Sequence, residues 1–432
     1  MKRTLIVLYT LIVLPVSVHA TNLDDIYQLA VTNDPQFRAA YSTYQAELTA
    51  KPQARSLLLP SVSFSADISE NSSESNLSGK SDFQSNGYKL SLSQPVFHYN
   101  YFVQLGQANE SIKKAASEYS AAQQELILRV AQRYMDVLAA SDNLEFARSE
   151  KKAIARQLEQ ARKRFEVGLI AITDVHEAQA VYDLANAQEI AAENQVSSKQ
   201  EALGEITGQY HEPLTPLGKK LPLLTPDPAN LESWTEVALK QNLQLRAVKN
   251  AAKIAQEDIK RLRSGHYPTL DLVASRNHSD VGGGFGARET DTDSIALQFS
   301  LPLYQGGLVS SQVKEAAHLY QKAKEIMEQQ RRATLRQTRD AYRGVLTDIS
   351  RVKALKQATV STQSAVEATE AGFEVGTRTI VDVLVSQREL FRAKRDYAQT
   401  RYDYLLNTLR LKQAAGTLSP EDLTNINQWI QP

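Results

Sequence analysis

The sequence predicts an α+β membrane protein made of two copies of one unit, each a pair of amphipathic β-strands followed by a long helical rod. Three observations carry this. A shift of about 208 residues aligns the chain with itself almost without gaps. Four short segments alternate apolar and polar side chains with the period of a strand. Two stretches, 102–167 and 308–373, run without proline and with almost no glycine, long enough as helix to make rods of roughly 100 Å.

The first twenty residues read as an export signal. Lys2 and Arg3 form a charged start, Thr4 to Val18 is an apolar run too short to span a bilayer, and Val18-His19-Ala20 is a small-residue cleavage site. Cleavage leaves Thr21 first. Residues 23–57 are helical by composition, interrupted at Asn33-Asp34-Pro35. The period then changes to two. Val62, Phe64, Ala66 and Ile68 alternate with small polar residues over 61–70, and Tyr88, Leu90, Leu92 and Val96 against Lys89, Ser91 and Ser93 over 87–96. In the second copy the strands are expected at 268–277 and 293–303, the latter with Ile295, Leu297, Phe299, Leu301 and Leu303 on one side. The polar stretches between each pair, including Gly282-Gly283-Gly284, are expected to be surface loops, since no phosphate-cradle Lys-Ser/Thr follows the glycines.

Along 102–167, Val130, Tyr134, Val137, Leu144, Ile154, Leu158, Ala161 and Phe165 follow mostly 3/4 spacing, the seam of a coiled coil. A reversal at Gly168 leads into a return helix over 173–208 whose Val175, Ala178, Tyr182, Ala185, Ala192, Val196, Leu203 and Ile206 keep that spacing. This return covers half the rod, and the helices before the strands cover the rest. Residues 209–230, with five of the 14 prolines, connect the copies. The second unit occupies 231–416, with its reversal at Gly376 and return helix over 379–416, and residues 417–432 end the chain.

Composition removes whole classes of function. With 49 basic and 49 acidic residues the chain lacks the cationic surface a nucleic-acid binder needs. Having no cysteine, it has no disulfide, thiolate nucleophile or Cys-ligated zinc. The seven histidines, 19, 98, 176, 211, 266, 278 and 318, form no HExxH pattern and no GxSxG occurs, so neither an enzyme nor a cofactor or metal site is expected. Strands of about ten residues with one apolar and one serine-rich face suit a barrel with lipid outside and water inside. Four strands cannot close, and open edges in hydrocarbon leave backbone groups unpaired at several kcal/mol each. Two chains would give eight strands, a barrel filled by side chains; three would give twelve and a lumen.

Four segments, RFEVGLIAITDV (164–175), GHYPTLDL (265–272), SLPLYQGGLVSSQVK (300–314) and AGFEVGTRTIVDVL (371–384), resemble the TolC family of outer-membrane efflux and secretion channels, and the resemblance runs from about 23 to 430. It implies a homotrimer in the Gram-negative outer membrane: a 12-stranded antiparallel β-barrel, four strands per chain, continued by a long α-helical coiled-coil barrel through the periplasm. It also implies a mixed equatorial belt formed by 209–230 and the segment after 416. The implied function is the passive exit duct of a tripartite efflux pump or type I secretion system. Its implied partners are a periplasmic adaptor (membrane fusion) protein and an inner-membrane RND, ABC or MFS-type transporter. The competing reading is a periplasmic coiled-coil adaptor or structural stalk without its own pore.

The resemblance also assigns the tips. Val167, Gly168, Leu169, Val375, Gly376 and Thr377 are the implied adaptor contacts. Asp382 would line the closed periplasmic entrance as a ring of three carboxylates, and Arg378 would hold it shut by bonding to Thr173 and Asp174 of the neighbouring coil. The residues by themselves also read as helix caps, Thr379 with Asp382 and Asp174 with Glu177. Two positions depart from the family pattern. Phe373 stands where a tyrosine hydroxyl would reach Asp174, and Val385 replaces a second acidic ring one turn beyond Asp382.

Overall fold

A computed structural model describes residues 21–76, 79–210, 213–218, 220–283 and 286–430. The expected export signal, His211 and Gly284 lie outside them. Three helices come first, α1 (Leu23–Asn33), α2 (Pro35–Leu48) and α3 (Ala50–Ser56). A hairpin of β1 (Ser61–Ser75) and β2 (Gly79–Phe97) leads to the rod α4 (Tyr99–Glu166) and its return α5 (Ile172–Thr207). The second copy repeats this with α6 (Leu231–Gln241), α7 (Leu243–Arg263), β3 (Thr269–Val281), β4 (Arg288–Ser300), α8 (Leu308–Glu374) and α9 (Ile380–Ala415). A short α10 (Pro420–Asn427) follows.

The helix break at Asp34 has a local cause. Pro35 cannot extend α1, so Asp34 leaves helical geometry, accepts the Gln36 amide at 3.1 Å and caps α2. Its carboxylate is buried and pairs with Arg129 of α4, which ties the first helices to the rod. With 68 residues, α4 is about 100 Å long. One part of it packs along α5 and the remainder along α2, α3 and α7, while α8 packs along α9 and α7. Most of the periodic apolar residues are buried, among them Val130, Tyr134, Ile154, Leu158, Ala161, Ala178 and Leu203. Phe165, placed at the end of the seam by its spacing, is 40% exposed. At that point the rod has entered its terminal turn and the seam has ended.

The four strands form one antiparallel sheet in the order β1-β2-β3-β4, with both outer edges unpaired in the single chain. Its register sorts the two faces. Val62, Leu92, Ala274 and Ile295 lie in one row; Leu272 pairs with Leu297 and Leu270 with Phe299 on the same face. The other face carries Ser63 beside Ser91 and Ser275 beside Ser294, each pair bridged hydroxyl to hydroxyl at 3.1 Å. Above the apolar rows the same face turns polar, with Arg276 across from Asp293 and His278 bonded to Asp291 at 2.9 Å. Tyr88 stacks on that histidine at 4.9 Å.

The sheet corrects the strand limits and loops read from the sequence. Polar stretches expected to be loops continue as paired strand, Asn71 to Ser75 against Phe83 to Gly79 and Ser279 to Val281 against Thr290 to Arg288. Backbone pairing needs no apolar face where both sides are wet, so side-chain periodicity is silent there. At the opposite end, Leu301 and Leu303 fall beyond β4, because Pro302 between them has no N–H for the ladder. Pro95 is accommodated in β2 by a register shift between Pro95 and Phe97.

The connector and the C-terminal segment pack against the middle of the rods. Thr21 bridges in parallel to Leu214, and Leu217 antiparallel to Ile430. The C-terminal α10 seats on α1 through Asn427, which accepts the Leu23 amide at 3.1 Å and donates to Asp24. Tyr134 is wholly buried beneath, and its hydroxyl donates to the Thr215 carbonyl at 2.7 Å. The connector and the C-terminus are thus joined to the first helix and to the rod.

Candidate functional site

The far ends of the two helical hairpins concentrate the features that the rest of the chain does not need for packing. Each rod ends in the same double bond pattern. The Leu169 amide donates to the Arg164 carbonyl at 2.8 Å and the Gly168 amide to Phe165 at 2.9 Å. In the second hairpin Thr377 donates to Gly372 at 2.8 Å and Gly376 to Phe373 at 3.2 Å. This closure requires a left-handed residue, supplied by Gly168 at φ 75° and Gly376 at φ 81°. Val167, Leu169 and Val375 consequently project into solvent, largely exposed, with Thr377 beside them.

The return helices begin differently. Thr379 accepts the Asp382 amide at 3.2 Å, while the Asp382 carboxylate accepts the Thr379 amide and hydroxyl, both at 2.9 Å. This is the reciprocal cap expected from the sequence. It holds the Asp382 carboxyl below its ordinary range, chiefly through the Thr379 amide, then its hydroxyl, with Arg378 adding a smaller push. The Asp174–Glu177 cap does not form. Helix α5 starts at Ile172 with Ala171 at its cap position, leaving Asp174 as an acid in the first turn, where the helix dipole favours it.

Between the tips lies a small apolar cluster of Ile154, Leu158, Ala161, Ala178, Phe373, Ile380, Val383 and Leu384, joining the two hairpins. Phe373 is 5% exposed at its centre. Thr173 and Arg378 are exposed and Asp174 is half-buried. Among the described residues, no hydrogen bond or ion pair within one chain links Arg378 to Thr173 or Asp174. The stem of Arg378 instead lies over Gly372. Val385, one turn past Asp382, is also exposed.

Sequence reading missed Arg164. Its guanidinium sits 4.2 Å above the Phe373 ring and donates to the Phe373 carbonyl at 3.0 Å. The signal was in the repeat. Arg164 aligns with Gly372 and Ile170 with Arg378, so the duplication fails at the positions that distinguish the tips. Among the described residues no group of three or more His, Asp or Glu could hold a metal ion, and no helix is long and apolar enough to cross a membrane.

Comparison with known proteins agrees with this architecture. The family described as outer membrane efflux protein matches residues 26–209 and again 234–417, two spans offset by the same repeat length. The outer membrane protein TolC of Vibrio cholerae serotype O1 is 40% identical over 96% of this chain and 95% of its own. The alkaline protease secretion protein AprF of Pseudomonas aeruginosa is 30% identical over 94% and 86%. Among solved structures, the outer membrane protein VceC of Vibrio cholerae superposes with a TM-score of 0.78 over 91% of this chain and 96% of that one, at 18% identity. Such a likeness at low identity shows a shared fold, a four-stranded barrel segment continued by helical rods. The chain belongs to the outer membrane efflux protein family, whose TolC-type members are channels of the Gram-negative outer membrane.

Proposed function

We propose that three copies of this chain close a 12-stranded barrel in the outer membrane and form a passive exit duct from the periplasm to the exterior. The observation that carries this is the sheet, with one apolar face, one serine-lined face and two unpaired edges. Strand β4 of one subunit would complete its ladder on β1 of the next, removing the edges that hydrocarbon does not tolerate. Three copies leave a water-filled lumen, whereas the eight strands of two would be filled by their own side chains. Leu184 and Ile190 on α5 and Val360 on α8 are exposed apolar residues on the rods and suit the subunit seam.

The tips would form the periplasmic entrance. There Asp382 supplies three carboxylates about one axis, which attract cations. Arg378, unbonded to the first hairpin of its own chain, is placed to reach Thr173 and Asp174 of the neighbouring subunit. The exposed Val167, Gly168, Leu169, Val375, Gly376 and Thr377 offer the adaptor its docking surface, and an RND, ABC or MFS-type transporter drives the cargo. Relatives include both TolC and a protease secretion protein, and for this chain the duct serves either drug efflux or type I protein secretion. We assign the chain no catalytic step.

Single-channel recording in planar bilayers tests the assignment. Arg378→Ser raises conductance and Asp382→Ala lowers the preference for cations. Identical currents and selectivity in both variants would remove these two residues from the entrance, and protein that never conducts would remove the duct.

A further inference from the structure

We propose that Arg164 is the positioning residue that fastens the two hairpin tips of each subunit to one another and so holds the entrance narrow. This rests on the reading of the tips as the entrance. The two reversals are copies of one sequence, yet they are not interchangeable. Phe165 is 40% exposed, while its equivalent Phe373 is 5% exposed and covered by the Arg164 side chain. The guanidinium makes three favourable interactions with a single neighbouring tip. It lies on the face of the Phe373 ring at 4.2 Å, where the ring's negative potential attracts a cation. It donates at 3.0 Å to the Phe373 carbonyl, a charge-assisted bond added to the longer one, 3.2 Å, that this oxygen accepts from the Gly376 amide. It also places positive charge at the negative end of that helix.

The opposite position shows why the arrangement is one-sided. Gly372 stands where the first copy has Arg164, and a Cβ there would lie 2.7 Å from Arg378 Cγ and 3.2 Å from Thr377 Oγ1. A side chain at 372 would therefore push Arg378 from its path across the tip. The first hairpin carries the arginine that reaches inside the subunit, and the second carries the one free to reach outside it. Each subunit's tips thus move as one body while Arg164 is in place, and the subunit contact of Arg378 is presented from a fixed base.

Two measurements on the full-length reconstituted protein test this together. Amide hydrogen exchange over 372–378 reads the fastening, and single-channel recording reads the entrance. In Arg164→Ala, exchange of this segment and open-state occupancy both rise about tenfold, the scale of losing a cation–π contact with a charge-assisted hydrogen bond. Arg164→Lys falls between, because a point charge keeps the ring contact but not the fork geometry. Unchanged exchange in Arg164→Ala overturns the fastening, and faster exchange with unchanged gating overturns its role at the entrance. Arg378→Ser is recorded alongside. If it opens the channel while Arg164→Ala does not, this inference alone fails; if neither opens it, the reading of the tips as the entrance fails and takes the inference with it.

Discussion

Placing arginine at Leu297 gives the sharpest stability test of the lipid-facing surface. Leu297 is 64% exposed in the single chain, on the apolar face of the edge strand β4, opposite Leu272. It lies four residues below Asp293, where the face turns polar. At about 3.3 Å per residue and a strand tilt of about 40°, that is roughly 10 Å beneath the polar row, close to the middle of an apolar band about 25 Å tall. A charge there costs about 2–4 kcal/mol per chain, hence about 6–12 kcal/mol per trimer. Ser294→Arg is the control, three residues away on the lumen face, where it breaks only the exposed hydroxyl contact with Ser275. That change costs at most about 1 kcal/mol. Guanidinium titrations of the protein folded in phospholipid bilayers, read by the gel shift between folded and unfolded chains, measure both. Equal destabilisation by the two substitutions, or a larger effect from Ser294→Arg, would refute the assignment of faces.

Three further outcomes follow from single contacts. Tyr134→Phe removes the buried bond to the Thr215 carbonyl that joins the rod to the connector, and lowers stability by about 1–2 kcal/mol in chemical denaturation without altering conductance. Thr379→Val deletes the hydroxyl that Asp382 accepts from, so its carboxyl titrates at higher pH than in the parent. Because a depressed carboxyl stays charged until pH falls through its own pKa, cation preference in bilayer recordings is then lost at a higher pH on acidification. Asp142 has the opposite sign. Burial raises its carboxyl above the ordinary 3.8, against the bond it accepts from Tyr402, so the folded state holds the proton more tightly and stability declines as pH rises through that window. Asp142→Asn therefore raises the melting temperature at pH 7 and leaves it nearly unchanged at acid pH, as circular dichroism at the two pH values can check.

Much of this architecture was legible because it depends on periodicity. The rods, the two reversals at Gly168 and Gly376, and the apolar rows through Val62, Leu92 and Ile295 all repeat along the chain, and each repeat has one physical cause. The extensions of the hairpins over 71–75 and 279–281 were not legible, because strands wet on both faces leave no alternation to read. Asp174 was misread as a cap because its sequence pattern matches one, whereas the cap position of α5 lies three residues earlier, at Ala171. Arg164 was hidden for another reason. Its partner Phe373 is remote in sequence and belongs to the other copy, so no local pattern connects them, and only the mismatch with Gly372 hints at it.

The subunit count bears most directly on the whole account, since a sheet with two open edges has no stable place in lipid by itself. Native mass spectrometry of the detergent-extracted protein reads that number. Three chains in one particle is the predicted mass. A lone chain, or a pair whose eight strands would fill their own barrel, would contradict it.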